Sequence, residues 1–216
     1  MNKIIFLDID GVLNVIPQGR DEYGAIFHKH FEDNLRWIIE QTGAKIVISS
    51  TWRFSGLKVM QEMWKKRNLP GEIIDITPNE VEVVNKGKFD LDFYDDVKRG
   101  HEIQYWIDNN SDKIFSYCII DDDNDMLFHQ INNFVRTANN IDHSDCIDIG
   151  YGLTRECAQQ VIEILNTKFE SIDDQLRYEF YRLIASDWAK HEDDYPYVEQ
   201  TVDDCIEIIK KYKPYL

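Results

Sequence analysis

Asp8 and Asp10 stand two positions apart, directly after the apolar run 4–7, and Gly11 follows at once. Two anions held this close repel each other, so the pair calls for a bound cation or a shared proton. Two more polar clusters follow short strand-like runs: Ser49-Ser50-Thr51 after residues 45–48, and Asp121-Asp122-Asp123 after residues 117–120. Hard carboxylate oxygens suit Mg²⁺, which takes oxygen ligands and keeps several waters for exchange with a substrate. Hydroxyls and backbone N–H groups at a strand-to-helix turn suit phosphate oxygens. A cation, a phosphate cradle and a free carboxylate together describe phosphoryl transfer better than any other reaction.

Chemistry of this kind needs a scaffold that brings distant segments to one place. Residues 4–7, 45–48, 72–76, 117–120 and 133–135 read as short strands. Between them apolar residues recur at helical spacing. Phe31, Leu35, Ile38 and Ile39 form one such face, stopped by Gly43, and Leu57, Met60, Met63 and Trp64 form another, closed by Pro70-Gly71. Ile103, Trp106 and Ile107 fit a helix that starts near Arg99 or Gly100, and Thr154 caps one carrying Cys157, Val161, Ile162 and Leu165. The alternation predicts an α/β fold: a Rossmann-like, mostly parallel sheet with helices on both faces. In such a sheet the carboxyl ends of the strands share one edge, where ligands bind. The three polar clusters are therefore expected to converge.

Other segments carry less pattern. The polar stretch 14–27, with Gly19 and Gly24 as hinges, reads as a small flap. The charged stretch 78–98 reads in part as a loop. Beyond residue 167 the pattern is helical only: Leu176, Phe180 and Leu183 make one stripe, and Val202, Cys205, Ile206 and Ile209 another. The acidic run Glu192-Asp193-Asp194 between them reads as a solvated loop. The expected organisation is an α/β domain over residues 1–166 and a helical extension over residues 167–216.

Composition narrows the class. Of 216 residues, 43% are hydrophobic and 12% aromatic, enough for a real core. No window approaches about eighteen uncharged apolar residues, so no transmembrane helix is expected. Asp8 and Asp10 interrupt the apolar run that a secretory signal would need, and a cytoplasmic protein is expected. Cys118, Cys146, Cys157 and Cys205 lack any metal-ligand spacing and read as buried or free thiols. A net charge of −16 opposes non-specific coating of nucleic acids, which rests on Lys and Arg, but permits a nucleic acid held locally at a cation. His28, His30 and His101 lie away from the strand ends and read as structural or surface residues. Trp52 and Arg53, just after the phosphate turn, leave two readings open: contact with a base or second phosphate, or, for Trp52, a cap on the core.

The motif Phe6-Leu-Asp8-Ile-Asp10-Gly11-Val-Leu resembles the first motif of the haloacid dehalogenase-like hydrolase superfamily. Ile46-Val-Ile-Ser49-Ser50 resembles its second motif, and Cys118-Ile-Ile-Asp121-Asp122 its fourth. More narrowly, Ser49-Ser-Thr-Trp-Arg53, Arg99-Gly-His-Glu-Ile-Gln-Tyr-Trp106 and Gly152-Leu-Thr154 resemble the domain type of multifunctional (Swiss-army-knife) RNA-repair proteins. The resemblance implies a Mg²⁺-dependent phosphatase. In it Asp8 is the nucleophile and Asp10 the general acid and base, with the Asp10 backbone carbonyl at the metal. Ser49 and Ser50 bind the phosphoryl group, and Asp121 and Asp122 complete the Mg²⁺ site alongside Asp8 and Asp10. Family members place a lysine as a third-motif cation; here Arg99 fits best by position, ahead of Lys98 and Lys88. The segments between motifs are too short for a large cap domain, which favours large or extended substrates such as a nucleotide or a nucleic-acid end. The competing readings are a phospho-accepting signalling domain, disfavoured because Ser49 occupies the middle-strand end, and a catalytically idle binding module working through its acidic helical tail. Oligomeric state is not legible.

Overall fold

The first strand, β1 (Asn2–Leu7), is apolar on both sides of its pleat from Ile4 onward because it lies in the middle of a sheet covered on both faces. In the computed structural model, which describes residues 2–15, 18–79, 97–110, 114–137 and 152–167 and Asp203, β1 pairs in parallel with β4 (Lys45–Ile48) and β6 (Ile114–Asp121). Outside these lie β5 (Ile73–Ile76) and β7 (Phe134–Arg136), giving a parallel sheet in the order β5-β4-β1-β6-β7. The chain builds outward from β1 through β4 and β5, then returns to lay β6 and β7 on the other side. That reversal opens a crevice at the carboxyl end of β1.

Alternate residues of the strands feed two separate layers. Ile5 and Leu7, with Ile46, Ile48, Cys118 and Ile120, join one buried cluster with Leu35 and Ile38 of α1 (Lys29–Thr42) and Met60, Met63 and Trp64 of α2 (Leu57–Lys66). Val161 and Leu165 of α4 (Arg155–Asn166) belong to the same cluster. Phe6 points the other way. It meets Trp106 of α3 (Arg99–Asn110) edge-on at 5.4 Å between ring centroids, and Tyr117 at 5.9 Å. The Trp106 indole N–H donates to Asp75 on β5 at 2.8 Å, which fixes α3 across this second face. Each fully buried Ile, Leu or Phe here contributes about 1.5–3 kcal/mol. The expected Rossmann-like α/β fold, with helices on both faces, is the one observed.

Local signals placed the helices. Gly43 ends α1 in the left-handed region (φ +66°), and its N–H donates to the Ile39 carbonyl at 2.8 Å. The Thr154 hydroxyl accepts the Cys157 N–H at 3.2 Å and caps α4. His28 caps α1, accepting the His30 N–H at 3.3 Å, and His101 accepts the Lys98 N–H.

The stretch 14–27 holds something that its polarity does not reveal. A two-stranded antiparallel ribbon, β2 (Arg20–Asp21) and β3 (Gly24–Ala25), folds back on itself there. Arg67, just past α2, grips the ribbon with two charge-assisted bonds to Asp21 at 2.9 and 2.7 Å, which hold the Asp21 carboxyl down at about 2.

The chain divides into two compact units, residues 1–125 with 133–166, and residues 126–132 with 167–216. Everything above belongs to the first. In the second, the Leu127 N–H donates to the Gln130 side chain at 2.9 Å as the chain enters the short helix Phe128–Asn133. The expected stripes at 176–183 and 202–209, the acidic run 192–194, Lys88, Cys146 and Cys205 lie outside the described residues. Cys118 is buried and Cys157 half-buried; both are free thiols. Among the described residues no helix is long and apolar enough to cross a membrane.

Candidate active site

Three strands end side by side. The Asp8 N–H donates to the Ile120 carbonyl at 2.9 Å, and the Ser49 N–H to the Leu7 carbonyl at 2.9 Å, so sheet pairing runs into the site itself. After Asp8 the chain coils tightly, with the amides of Val12, Leu13 and Asn14 all turned on the Ile9 carbonyl. At the far side, Thr137 ties this loop to the end of β6. Its N–H donates to the Asp121 carbonyl and its hydroxyl to the Gly11 carbonyl, each at 3.0 Å.

The side chains of Asp8, Asp121 and Asp122 converge, with ligand-capable oxygens all within 4.8 Å of one another. Asp8 and Asp121 are buried, at 6% and 2% exposure. Burial pushes both carboxyls up, and the charge of Asp8 raises Asp121 further. A hydrogen bond from Ser50 and the charge of Arg99 pull Asp8 back only in part. Asp122 is also raised, by burial and then by Asp123. One Asp121 oxygen accepts the Asp123 N–H at 3.0 Å; the other has no hydrogen-bond partner among the described residues. Buried anionic oxygens, mutually repelling and incompletely paired, form a donor set that fits a hard divalent cation.

Gly11 makes room for this cluster. It sits at φ +73°, and a Cβ there would overlap the Asp122 carboxyl. Gly11→Ala is expected to cost about 1–2 kcal/mol in backbone conformation alone and to displace Asp122. Urea denaturation should show the loss, and a metal titration should show weakened binding beyond it.

The remaining expected residues fall around the cluster. Ser49 is buried at 1% exposure and its hydroxyl has no hydrogen-bond partner among the described residues. Asp10 is exposed, and its carboxylate lies outside the metal-capable group. Both its oxygens are taken: one accepts from the Asn14 amide at 2.6 Å, the other from the Trp52 indole N–H at 2.9 Å. Trp52 also packs edge-on against Phe27 at 5.5 Å, so core packing orients the group that holds Asp10. Arg99 opens α3 with its Nε 3.7 Å from the unbonded Asp121 oxygen. Lys98 contributes a backbone N–H to His101.

Glu102 and Thr137 were not among the expected site residues. Glu102 spans two guanidiniums: one oxygen accepts from Arg53 Nη2 at 2.6 Å, and the other lies 3.5 Å from Arg99 Nη1. One helical turn separates Glu102 from Arg99, a spacing readable in the sequence. No sequence signal announces Thr137, whose partner is 126 positions away.

The model of the HAD domain in Swiss Army Knife RNA repair proteins matches residues 4–141. No curated protein and no solved structure matches the chain. Because the match spans most of the chain and takes in the ends of β1, β4 and β6 together, this protein belongs to that HAD family, and hydrolase chemistry of the phosphatase kind comes with the membership.

Proposed function

We propose that the protein is a Mg²⁺-dependent phosphatase that hydrolyses a phosphomonoester, a nucleotide or nucleic-acid end, through an aspartyl-phosphate. The observation that carries this reading is the convergence of Asp8, Asp121 and Asp122 within 4.8 Å. The buried Ser49 hydroxyl at the end of the neighbouring strand, without a hydrogen-bond partner among the described residues, supports it.

Asp8 attacks phosphorus, forming a carboxyl–phosphate bond as the ester oxygen leaves. Asp10 gives its proton to that oxygen, then takes one from the water that cleaves the aspartyl-phosphate and releases inorganic phosphate. Asn14 and Trp52 hold the Asp10 carboxylate by both oxygens and so aim it. Ser49 and the backbone at Ser50 receive the phosphoryl oxygens, while Arg99 adds positive charge where charge builds up. Asp8, Asp121, Asp122 and the Asp10 backbone carbonyl would hold Mg²⁺, which supplies neutralisation of the anionic nucleophile and phosphate.

Phosphate release should be measured with and without Mg²⁺ across sugar phosphates, nucleotides and end-phosphorylated oligonucleotides. Release that needs the metal and is absent from Asp8→Asn supports the reading; silence across the panel from folded, Mg²⁺-binding protein overturns it. Asp121→Asn should raise the Mg²⁺ concentration needed for half-maximal rate by about tenfold to a hundredfold, the range seen when metal-site support is lost. Its thermal melt should change little. A mutant with an unaltered metal requirement would take Asp121 out of the metal site.

A further inference from the structure

Beside the acid cluster lies a cleft of about 500 Å³, and Arg99 lines both. That volume falls in the range of small-ligand sites. Its other walls include Thr51, Arg53, Phe54, Glu102 and Asp125. Phe54 is 66% exposed, the most of any large apolar side chain among the described residues; Ile26, Val59 and Ile131 follow at 36–44%. The Arg53 guanidinium sits over the ring 4.8 Å from its centroid. The side chain is otherwise largely open to solvent. A cation behind an aromatic ring and an open face in front of it make a stacking platform.

The charges of the cleft decide between its candidate occupants. Arg53 is 4% exposed and donates Nη2 to Glu102 at 2.6 Å, its Nε and Nη1 being without a hydrogen-bond partner among the described residues, and Arg99, Glu102 and Asp125 line the same space, so the guanidiniums and carboxylates of the cleft offset each other. With its charges offset, the cleft holds no excess of positive charge for a second phosphate. A flat, uncharged heterocycle needs none and can take the open face of the ring. Recognition through a ring face also needs no basic surface, which suits a chain of net charge −16.

Resting on the phosphatase reading, we propose that this cleft is the subsite for the leaving group, and that the leaving group is a nucleoside whose unstacked base lies on Phe54. The shared chemistry is a nucleoside phosphate, either free or at the end of a single strand.

The test uses the full-length chain with Asp8→Asn to prevent turnover, in Mg²⁺, and titrates two probes. One is 2-aminopurine nucleoside monophosphate; the other is a short single strand ending in phosphorylated 2-aminopurine, whose fluorescence falls when the base stacks. Quenching on binding is expected, with affinity about tenfold weaker and the quench lost in Phe54→Ala, and both retained in Phe54→Trp. Phe54 is exposed, so the alanine variant should melt as its parent does. Tighter binding of the strand than of the monophosphate identifies a strand end as the source, and equal binding a free nucleotide. No quench in the parent, or the same quench and affinity in Phe54→Ala, overturns the subsite. Turnover is read separately in the Asp8 protein. There Phe54→Ala should lower kcat/KM about tenfold on nucleoside phosphates and leave glycerol phosphate unchanged. Absence of phosphate release from any substrate, with the Phe54-dependent quench intact, would remove the phosphatase reading and leave the base site standing.

Discussion

Asp8→Asn is expected to lower phosphate release by about 10⁴-fold or more, the scale seen when a nucleophile is removed from a concerted catalytic set. The amide keeps the size of the carboxylate, so the backbone bond to Ile120 and the packing at the end of β1 survive. Stability should not fall with activity. In metal-free buffer Asp8 and Asp121 are both raised above their unfolded values, so the folded state holds protons that the unfolded state has released. The contribution of this pair to stability is then greatest below about pH 4, where free carboxylates ionise, and declines as pH rises toward neutrality. Removing one of the two anions flattens that decline. Metal-free Asp8→Asn should therefore melt at or above the wild-type temperature near pH 7.5, and the gap should close when Mg²⁺ is added. A variant keeping a tenth of wild-type turnover would end the nucleophile role; one that melts lower at every pH would show that the carboxylate is needed for folding.

The second large effect is on stability. Breaking the buried Arg53–Glu102 pair from the acid side, as Glu102→Leu, should destabilise the protein by about 3–5 kcal/mol, because two guanidiniums lose the carboxylate between them. Arg53→Met alone should also destabilise, by leaving Glu102 short of a partner. The double variant should lose clearly less than the two single losses added together, since no buried charge of that pair then remains. Urea unfolding of all four proteins gives the coupling directly. Strict additivity would mean that solvent already screens the pair, and that Glu102 holds neither arginine in place.

The scaffold was readable from sequence wherever one local rule decided the outcome. Unbroken apolar runs marked β1, β4 and β6 because strands buried on both faces have no polar side to show. Gly43 and Thr154 set helix ends through single-residue chemistry. The last strand begins at Phe134 rather than Asn133, a small shift at an edge, where only one neighbour pins the register. The ribbon at 20–25 escaped notice because two-residue strands are too short to alternate. At the site, the acid cluster could be anticipated because parallel strands place their ends together. The bonds that aim those acids could not. Trp52 reaches Asp10 across 42 positions, and Arg53 reaches Glu102 across 49, so only the folded chain pairs them.

The position of β1 at the centre of the sheet has a consequence for how the protein breathes. Hydrogen exchange at a backbone amide requires its bond to open, and amides in a central strand open only when the whole cooperative unit does. The Asp8 amide bonded to Ile120 and the Ser49 amide bonded to Leu7 should be among the slowest to take up deuterium, at the protection set by global unfolding. The Ile26 amide, bonded to Gly19 at the base of the short ribbon, should exchange far sooner through local opening. Chemistry is thus anchored where the chain is least free to fluctuate, while movement is left to segments that flank it. A substitution that weakens the sheet would leave the geometry of each folded molecule intact and shorten only the time it spends folded.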